Sequence, residues 1–158
     1  MVRHDLMESP IGVLILVMRD DVLIRVSMDH QAHLPDRATF GQSTLHCADQ
    51  VREELDAYFA GDRRAFSVDF EPTGTAFQRS VQTALAELPF GEVSTYGAIA
   101  KRIGNPSAVR AVGGAIGRNP LSIIVPCHRV SGADGSLTGF AGGLDAKRYL
   151  LAHEGVVL

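Results

Sequence analysis

The sequence predicts an α+β protein in two parts: a small antiparallel β-sheet with helices over residues 1–72, then a mainly helical part over residues 73–158. Three observations predict it. The N-terminal stretch holds short runs of strand length separated by turn signals. After Glu71-Pro72-Thr73-Gly74 the apolar spacing changes to a helical period. Further on, Gly104-Asn105-Pro106 separates two short helical segments, as in a helix-turn-helix.

The elements follow in order. Arg3 to Glu8, Val13 to Met18 and Val22 to Met28 read as a meander, with turns at Ser9-Pro10-Ile11-Gly12 and Arg19-Asp20-Asp21. In the third run Val22, Ile24, Val26 and Met28 alternate, which predicts one buried face. Residues 29–43, with Pro35, Asp36 and Gly41, read as a loop. Thr44 to Ala60 reads as a helix with Val51, Leu55, Tyr58 and Phe59 on one stripe and Gly61 as its stop. Phe66 to Phe70 alternates like another short strand. In the second part, Thr75 can cap a helix whose Phe77, Val81, Leu85 and Leu88 share a face. Ser94 can cap a helix over 95–103, and Ser107 one over 108–116. That last helix is nearly bare: Ala108, Ala111, Gly113, Gly114 and Ala115 leave few larger side chains, Arg110 and two valines among them. An interior glycine costs a helix about 1 kcal/mol relative to alanine. Close approach of another surface would justify that cost, and tight packing on a neighbouring helix explains it equally well.

A net charge of −3 argues against a nucleic-acid partner, but its distribution does not. Residues 1–72 carry 7 Lys/Arg against 13 Asp/Glu, whereas residues 73–158 carry 8 against 5. Any nucleic-acid face belongs to the second part. No apolar run is long enough to span a membrane, and the N-terminus lacks the layout of a signal peptide, so a cytoplasmic location is expected. Cys47 and Cys127 are the only cysteines, one in each part, which suits free thiols in a reducing compartment.

The chemistry concentrates around Pro126-Cys127-His128-Arg129-Val130. A thiolate is a nucleophile, and a neighbouring base can generate one. By itself the adjacency also describes a buried structural cysteine beside a surface His-Arg pair. A glycine-rich stretch follows over 131–143, able to shape a pocket. A final helix, Leu144 to His153, then leads to Glu154, a carboxylate that could orient His128 in a Cys-His-Glu relay or simply end the helix in solvent.

These residues resemble the active-site signature of O6-alkylguanine-DNA alkyltransferases. Gly91 to Tyr96, Arg110 to Ala115, Asn119-Pro120 and Leu150 to Gly155 stand in matching order. The resemblance is close over residues 77–155, while the first part is similar only in layout. It implies a ribonuclease H-like layout for the first part and a winged-helix-like second domain whose helix-turn-helix enters the minor groove of duplex DNA. The bare helix would then carry Arg110, Ala111, Gly113, Gly114 and Ala115 to the DNA. Arg110 would replace an extruded guanine, and Tyr96 would donate a proton toward its N3. Asn119 would brace the turn into the active site, His128 would take the Cys127 proton through a water, and Glu154 would hold the imidazole. Arg129, Val130, Phe140, Ala141 and Gly142 would complete the contacts to DNA and base.

The implied function is a single, irreversible transfer of an alkyl group from O6-alkylguanine, with O4-alkylthymine as a second candidate, to Cys127. No cofactor is implied. The free protein would be a monomer, with cooperative assembly on DNA left open. Two departures from the family pattern stand out: Ala141 where serine is common, and Gln82 where tryptophan is common. His30, His33, His46 and Cys47 do not form a metal-ligand pattern. The main alternative is an alkyltransferase-like protein that recognises damage without repairing it; Cys127 argues against that. A cysteine hydrolase or a transcription factor fits less well, because the base adjoins the nucleophile and the recognition helix is so bare.

Overall fold

A computed structural model describes residues 1–158, which fold as two units, Met1–Glu71 and Pro72–Leu158. In the first unit β1 (Val2–Ser9), β2 (Gly12–Arg19) and β3 (Val22–Met28) form the expected antiparallel meander. A fourth strand, β4 (Gln42–Ser43), adds to β1 in parallel and gives the order β3-β2-β1-β4. The predicted loop over 29–43 therefore holds this strand and a 3-10 turn, Arg37–Phe40, capped by the Asp36 side chain. The sheet is mixed rather than purely antiparallel.

Central β2 is buried on both faces from Leu14 to Met18. The simple alternation expected in β3 does not hold. A bulge between Val17 and Met18 shifts the register, so Leu23 is fully buried together with Val26 and Met28, while Val22 and Ile24 are only half-buried. The next helix, α1, starts at Asp49 rather than Thr44, because 42–43 is committed to the sheet and 44–48 to turns. Val51, Leu55 and Tyr58 form its buried face. Glu54 is buried beside them and accepts hydrogen bonds from Ser67 N (2.7 Å), Ser67 Oγ (2.6 Å) and Gln50 Nε2 (3.0 Å). Residues 66–70 form no strand; Phe70 makes one isolated bridge to Leu23.

The second unit begins with α2 (Ala76–Ala86), capped by Thr75 and Gln78 in a reciprocal capping box. Gln82 is ordered by hydrogen bonds where the resemblance expects a large aromatic. It is buried, its Nε2 donates to Thr73 O (2.8 Å), and its Oε1 accepts from Thr73 N (3.3 Å). The amide thus fixes the chain entering α2.

A two-stranded parallel pairing of β5 (Ser94–Thr95) with β6 (Val130–Ser131) follows. The helix-turn-helix comprises α3 (Tyr96–Arg102) and α4 (Val109–Gly117). Thr95, not Ser94, caps α3, because the helix starts one residue later than expected, at Tyr96, and the Thr95 side chain accepts from Ala98 N. Ser107 does not cap α4, which starts after Ala108 without a side-chain cap. The closing helix α5 spans Leu144–His153 as expected. No helix is long and apolar enough to cross a membrane.

Candidate active site and nucleic-acid interface

The segment delivering Cys127 is a strained turn. Ile123 has φ of 72°, a left-handed conformation that a β-branched residue rarely adopts, and it is buried. Tight backbone bonds wind the segment: Val125 N donates to Leu121 O (2.8 Å), Ile124 N to Ser122 O (2.8 Å) and Cys127 N to Val125 O (2.8 Å). Asn119, itself buried, spans the turn. Its Oδ1 accepts from Leu121 N (3.1 Å) and its Nδ2 donates to Val125 O (2.9 Å). One amide therefore closes the loop whose shape aims the cysteine.

Cys127, His128 and Arg129 then form a single 3-10 turn, all three buried. His128 Nε2 donates to Glu154 Oε2 at 2.7 Å. Glu154 also accepts from Arg129 Nε (2.7 Å, to Oε1), Arg129 Nη2 (2.9 Å, to Oε2) and Gly91 N (3.1 Å, to Oε1). A carboxylate already facing a guanidinium has no proton to give, so the imidazole carries its hydrogen on Nε2. Nδ1 is left as the unprotonated nitrogen, and it is the one buried side-chain nitrogen or oxygen without a hydrogen-bond partner. Gly91 must be glycine: φ is +80°, and an added Cβ would lie 3.1 Å from the Glu154 carbonyl oxygen.

This geometry corrects the expectation for Arg129. Its guanidinium is committed to Glu154 and, through Nη1, to Leu88 O (2.6 Å), and only 5% of the residue is exposed. It faces inward, as the electrostatic partner of the relay carboxylate, and is not available to DNA.

Two further residues, not singled out from the sequence, join the site. Lys147 on α5 is 1% exposed; its Nζ donates to Val130 O (2.7 Å) and Thr138 O (3.2 Å). The signal was present, since Lys147 falls on the same stripe as Leu150, Leu151 and Glu154, the buried face of α5. Thr138 hydrogen-bonds the Tyr96 hydroxyl. Phe140 and Ala141 are half-buried and Gly142 is buried, all on the loop between β6 and α5.

Burial pushes the Cys127 thiol up; the nearby Asn119 side chain, the Lys147 ammonium and Ser122 pull it partly back. Burial pushes His128 down, against the raising influence of Glu154. At neutral pH the resting pair is thiol and neutral imidazole. Both shifts make stability depend on pH. The unfolded chain protonates His128 near its ordinary value of about 6.5, while the native state resists, so stability falls as pH drops below that value. The unfolded thiol ionises near about 8.5 while the native state holds its proton, so stability also falls as pH rises above that value. Denaturant unfolding at about pH 5.5, 7.5 and 9.5 should be most favourable to the native state at the middle value, and Cys127→Ala should flatten the alkaline fall.

The helix-turn-helix presents a second surface. Arg110, Ala111 and Gly114 are exposed on α4, with Arg118 following at its end. Ala115 does not belong to this face: it is buried with Val112 and Ile116 on the side packed into the domain. Gly113 is half-buried against Tyr96, where an added Cβ would lie 3.9 Å from the ring. At Gly114 an added Cβ would meet nothing within 4 Å. Packing inside the chain therefore does not account for that glycine.

Comparison with known proteins agrees with this arrangement. A family model described as 6-O-methylguanine DNA methyltransferase, ribonuclease-like domain, matches residues 2–72, and its DNA binding domain counterpart matches residues 76–156. The chain is 47% identical over 154 residues to the methylated-DNA–protein-cysteine methyltransferase of Mycolicibacterium paratuberculosis, covering 98% of this chain and 93% of the relative. It is 48% identical over 155 residues to the protein of that name from Methanosarcina acetivorans, covering 96% and 97%. The Mycobacterium tuberculosis OGT solved in complex with DNA superposes with a TM-score of 0.90 at 43% identity, covering 96% of this chain and 92% of that one.

Proposed function

The chain belongs to the 6-O-methylguanine DNA methyltransferase family, and from that premise we propose that it repairs DNA by moving an alkyl group from the O6 oxygen of damaged guanine to Cys127, once per molecule and irreversibly. The observation that carries this reading is the buried pair next to Cys127 in the chain: His128 Nε2 is bonded to Glu154 at 2.7 Å, and its Nδ1 has no hydrogen-bond partner. His128 takes the thiol proton, through a bridging water, as Glu154 stabilises the imidazolium. The thiolate displaces the guanine oxygen from the alkyl carbon. Tyr96 supplies a proton toward N3 as the purine regains its carbonyl, so charge does not accumulate on the leaving base. The product is a thioether that no residue here can hydrolyse.

DNA is the partner, and the exposed face of α4 is the surface proposed to meet it. A buried thiol cannot reach a carbon inside a duplex, so the damaged nucleotide is extruded into the site. Arg110 fills the gap it leaves, Ala111 and Gly114 let the helix enter a minor groove about 6 Å wide, and Phe140, Ala141, Gly142 and the Val130 backbone line the base pocket. The free protein is read as a monomer. The test is intact mass after incubation with duplex DNA containing O6-methylguanine: a gain of about 14 Da on the peptide holding Cys127 is the signature of thiolate attack. No gain, or a gain on Cys47, overturns the assignment.

Arg110→Ala should slow repair of duplex DNA about tenfold or more, because extrusion costs a few kcal/mol that the inserted guanidinium partly offsets. Reaction with free O6-benzylguanine needs no extrusion and should be unchanged. Single-turnover rates on both substrates decide the matter; equal slowing would place Arg110 in the chemistry or the fold.

A further inference from the structure

We infer that Thr138 is a positioning residue for the transfer: its hydroxyl donates to Tyr96 Oη and so turns the phenol's own proton toward the extruded base. The inference rests on the reading of Tyr96 as the proton donor and deepens it.

Tyr96 opens α3, where Thr95 Oγ1 caps the helix by accepting from Ala98 N (3.1 Å). One side of its ring faces Gly113 of α4. Ring position is thus fixed by two helices, but the hydroxyl hydrogen still rotates. A phenol has one hydrogen to give and can accept another bond at the same oxygen. Its partner is Thr138 Oγ1, at 2.5 Å, and either oxygen can act as donor. If Tyr96 donates to Thr138, its proton is withheld from the base. If Thr138 donates to Tyr96, the proton is free, and a hydrogen bond received at Oη strengthens the one that Oη gives.

The backbone of Thr138 is anchored as well. Lys147 Nζ bonds both Thr138 O and Val130 O, three residues beyond the nucleophile. A buried ammonium therefore ties the glycine-rich loop to the strand leaving Cys127, and the threonine hydroxyl extends that tie to Tyr96.

In the step itself, the sulfur–carbon bond forms as the carbon–O6 bond breaks. The electron pair of the broken bond passes into the purine as the O6 carbonyl forms, and N3 takes the Tyr96 proton. The phenolate oxygen left behind is stabilised by the Thr138 hydroxyl. The proton that Cys127 lost rests on His128; exchange with solvent after the base leaves restores Tyr96 and neutralises His128, so no proton is gained or lost overall.

The test is a double-mutant cycle on the full-length protein, read by single-turnover methyl transfer from duplex DNA at saturating protein. Thr138→Val keeps the branched shape and removes the hydroxyl; it should slow transfer about tenfold, while the protein concentration giving half-maximal rate stays unchanged. Thr138→Ser should restore the rate to within about twofold, because the donor returns. In a Tyr96→Phe background, Thr138→Val should add no further loss, since the oxygen it serves is gone. Slowing by the same factor in both backgrounds, or no slowing beside intact Tyr96, overturns the role of Thr138 alone. Full activity of Tyr96→Phe itself overturns the proton-donor reading instead. If valine disturbs the loop, as judged by a lowered melting temperature, Thr138→Ala removes the same hydroxyl and the cycle is read with it.

Discussion

Cys127→Ser takes up no methyl group from O6-methylguanine DNA, yet binds the same duplex within a few fold of the unchanged protein; this is the expected result with the largest effect. Serine keeps the shape of cysteine but not its acidity. A thiol ionises near pH 8.5, while an alcohol stays protonated far above the range in which proteins are stable. The site makes the difference larger. Burial already pushes the Cys127 thiol up, and an alkoxide in the same place would be more strongly disfavoured. A neutral imidazole, itself pushed down by burial, cannot remove such a proton. DNA binding is expected to survive because the exposed residues of α4 do not include Cys127. Cys47→Ser serves as the control. That residue belongs to the first unit, its thiol is pushed up by burial and by Asp5, and its loss should leave transfer unchanged. Mass spectrometry on both variants decides. Methyl uptake by Cys127→Ser would falsify the assignment of the nucleophile.

Much of this was legible in the sequence, for physical reasons that can be named. The meander and α2 are elements where local signals agree with one another: turn residues between strand-length runs, and a capping threonine before an apolar stripe. The sequence failed where a long-range partner decides. Gln42 and Ser43 have no intrinsic reason to be a strand; β1 makes them one. Ser94 and Ser107 are both good caps, but α3 starts at Tyr96 and α4 at Val109, so each helix begins one residue too late for the serine to cap it. At the site, the residue types were readable and their sides were not. Arg129 follows the cysteine by two positions, and nothing local says whether it turns out to phosphates or in to Glu154. Only the fold, bringing residues 129 and 154 together, settles that it turns in. Ala115 fails for a similar reason: small residues ring the whole of α4, so composition does not show which of them face outward.

Glu154→Gln is expected to be costly twice, and the two costs can be separated. The side chain is fully buried, and its two oxygens accept four hydrogen bonds: Oε1 from Arg129 Nε and Gly91 N, Oε2 from Arg129 Nη2 and His128 Nε2. An amide offers one oxygen and one NH2 group. If the NH2 replaces Oε1, it confronts two donors, Arg129 Nε and Gly91 N, that cannot turn into acceptors. If it replaces Oε2, it confronts Arg129 Nη2 and His128 Nε2, and histidine can change tautomer. The second orientation is therefore the less costly. It moves the imidazole hydrogen to Nδ1, the nitrogen that would otherwise take the thiol proton, and the relay is blocked by its own hydrogen bond. Transfer should slow about a hundredfold or more, as when a base is held in the wrong tautomer. Separately, the charge that neutralised a buried Arg129 is gone. Breaking a buried pair by removing one partner costs about 3–5 kcal/mol, so the melting temperature should fall markedly. Measuring transfer well below the lowered melting point isolates the chemical effect from unfolding. The tautomer has its own signature, since nitrogen chemical shifts distinguish protonated Nε2 from protonated Nδ1 in His128. A variant that melts early but transfers at the normal rate per folded molecule, with Nε2 still protonated, would make Glu154 a structural anchor for Arg129 and remove it from the relay.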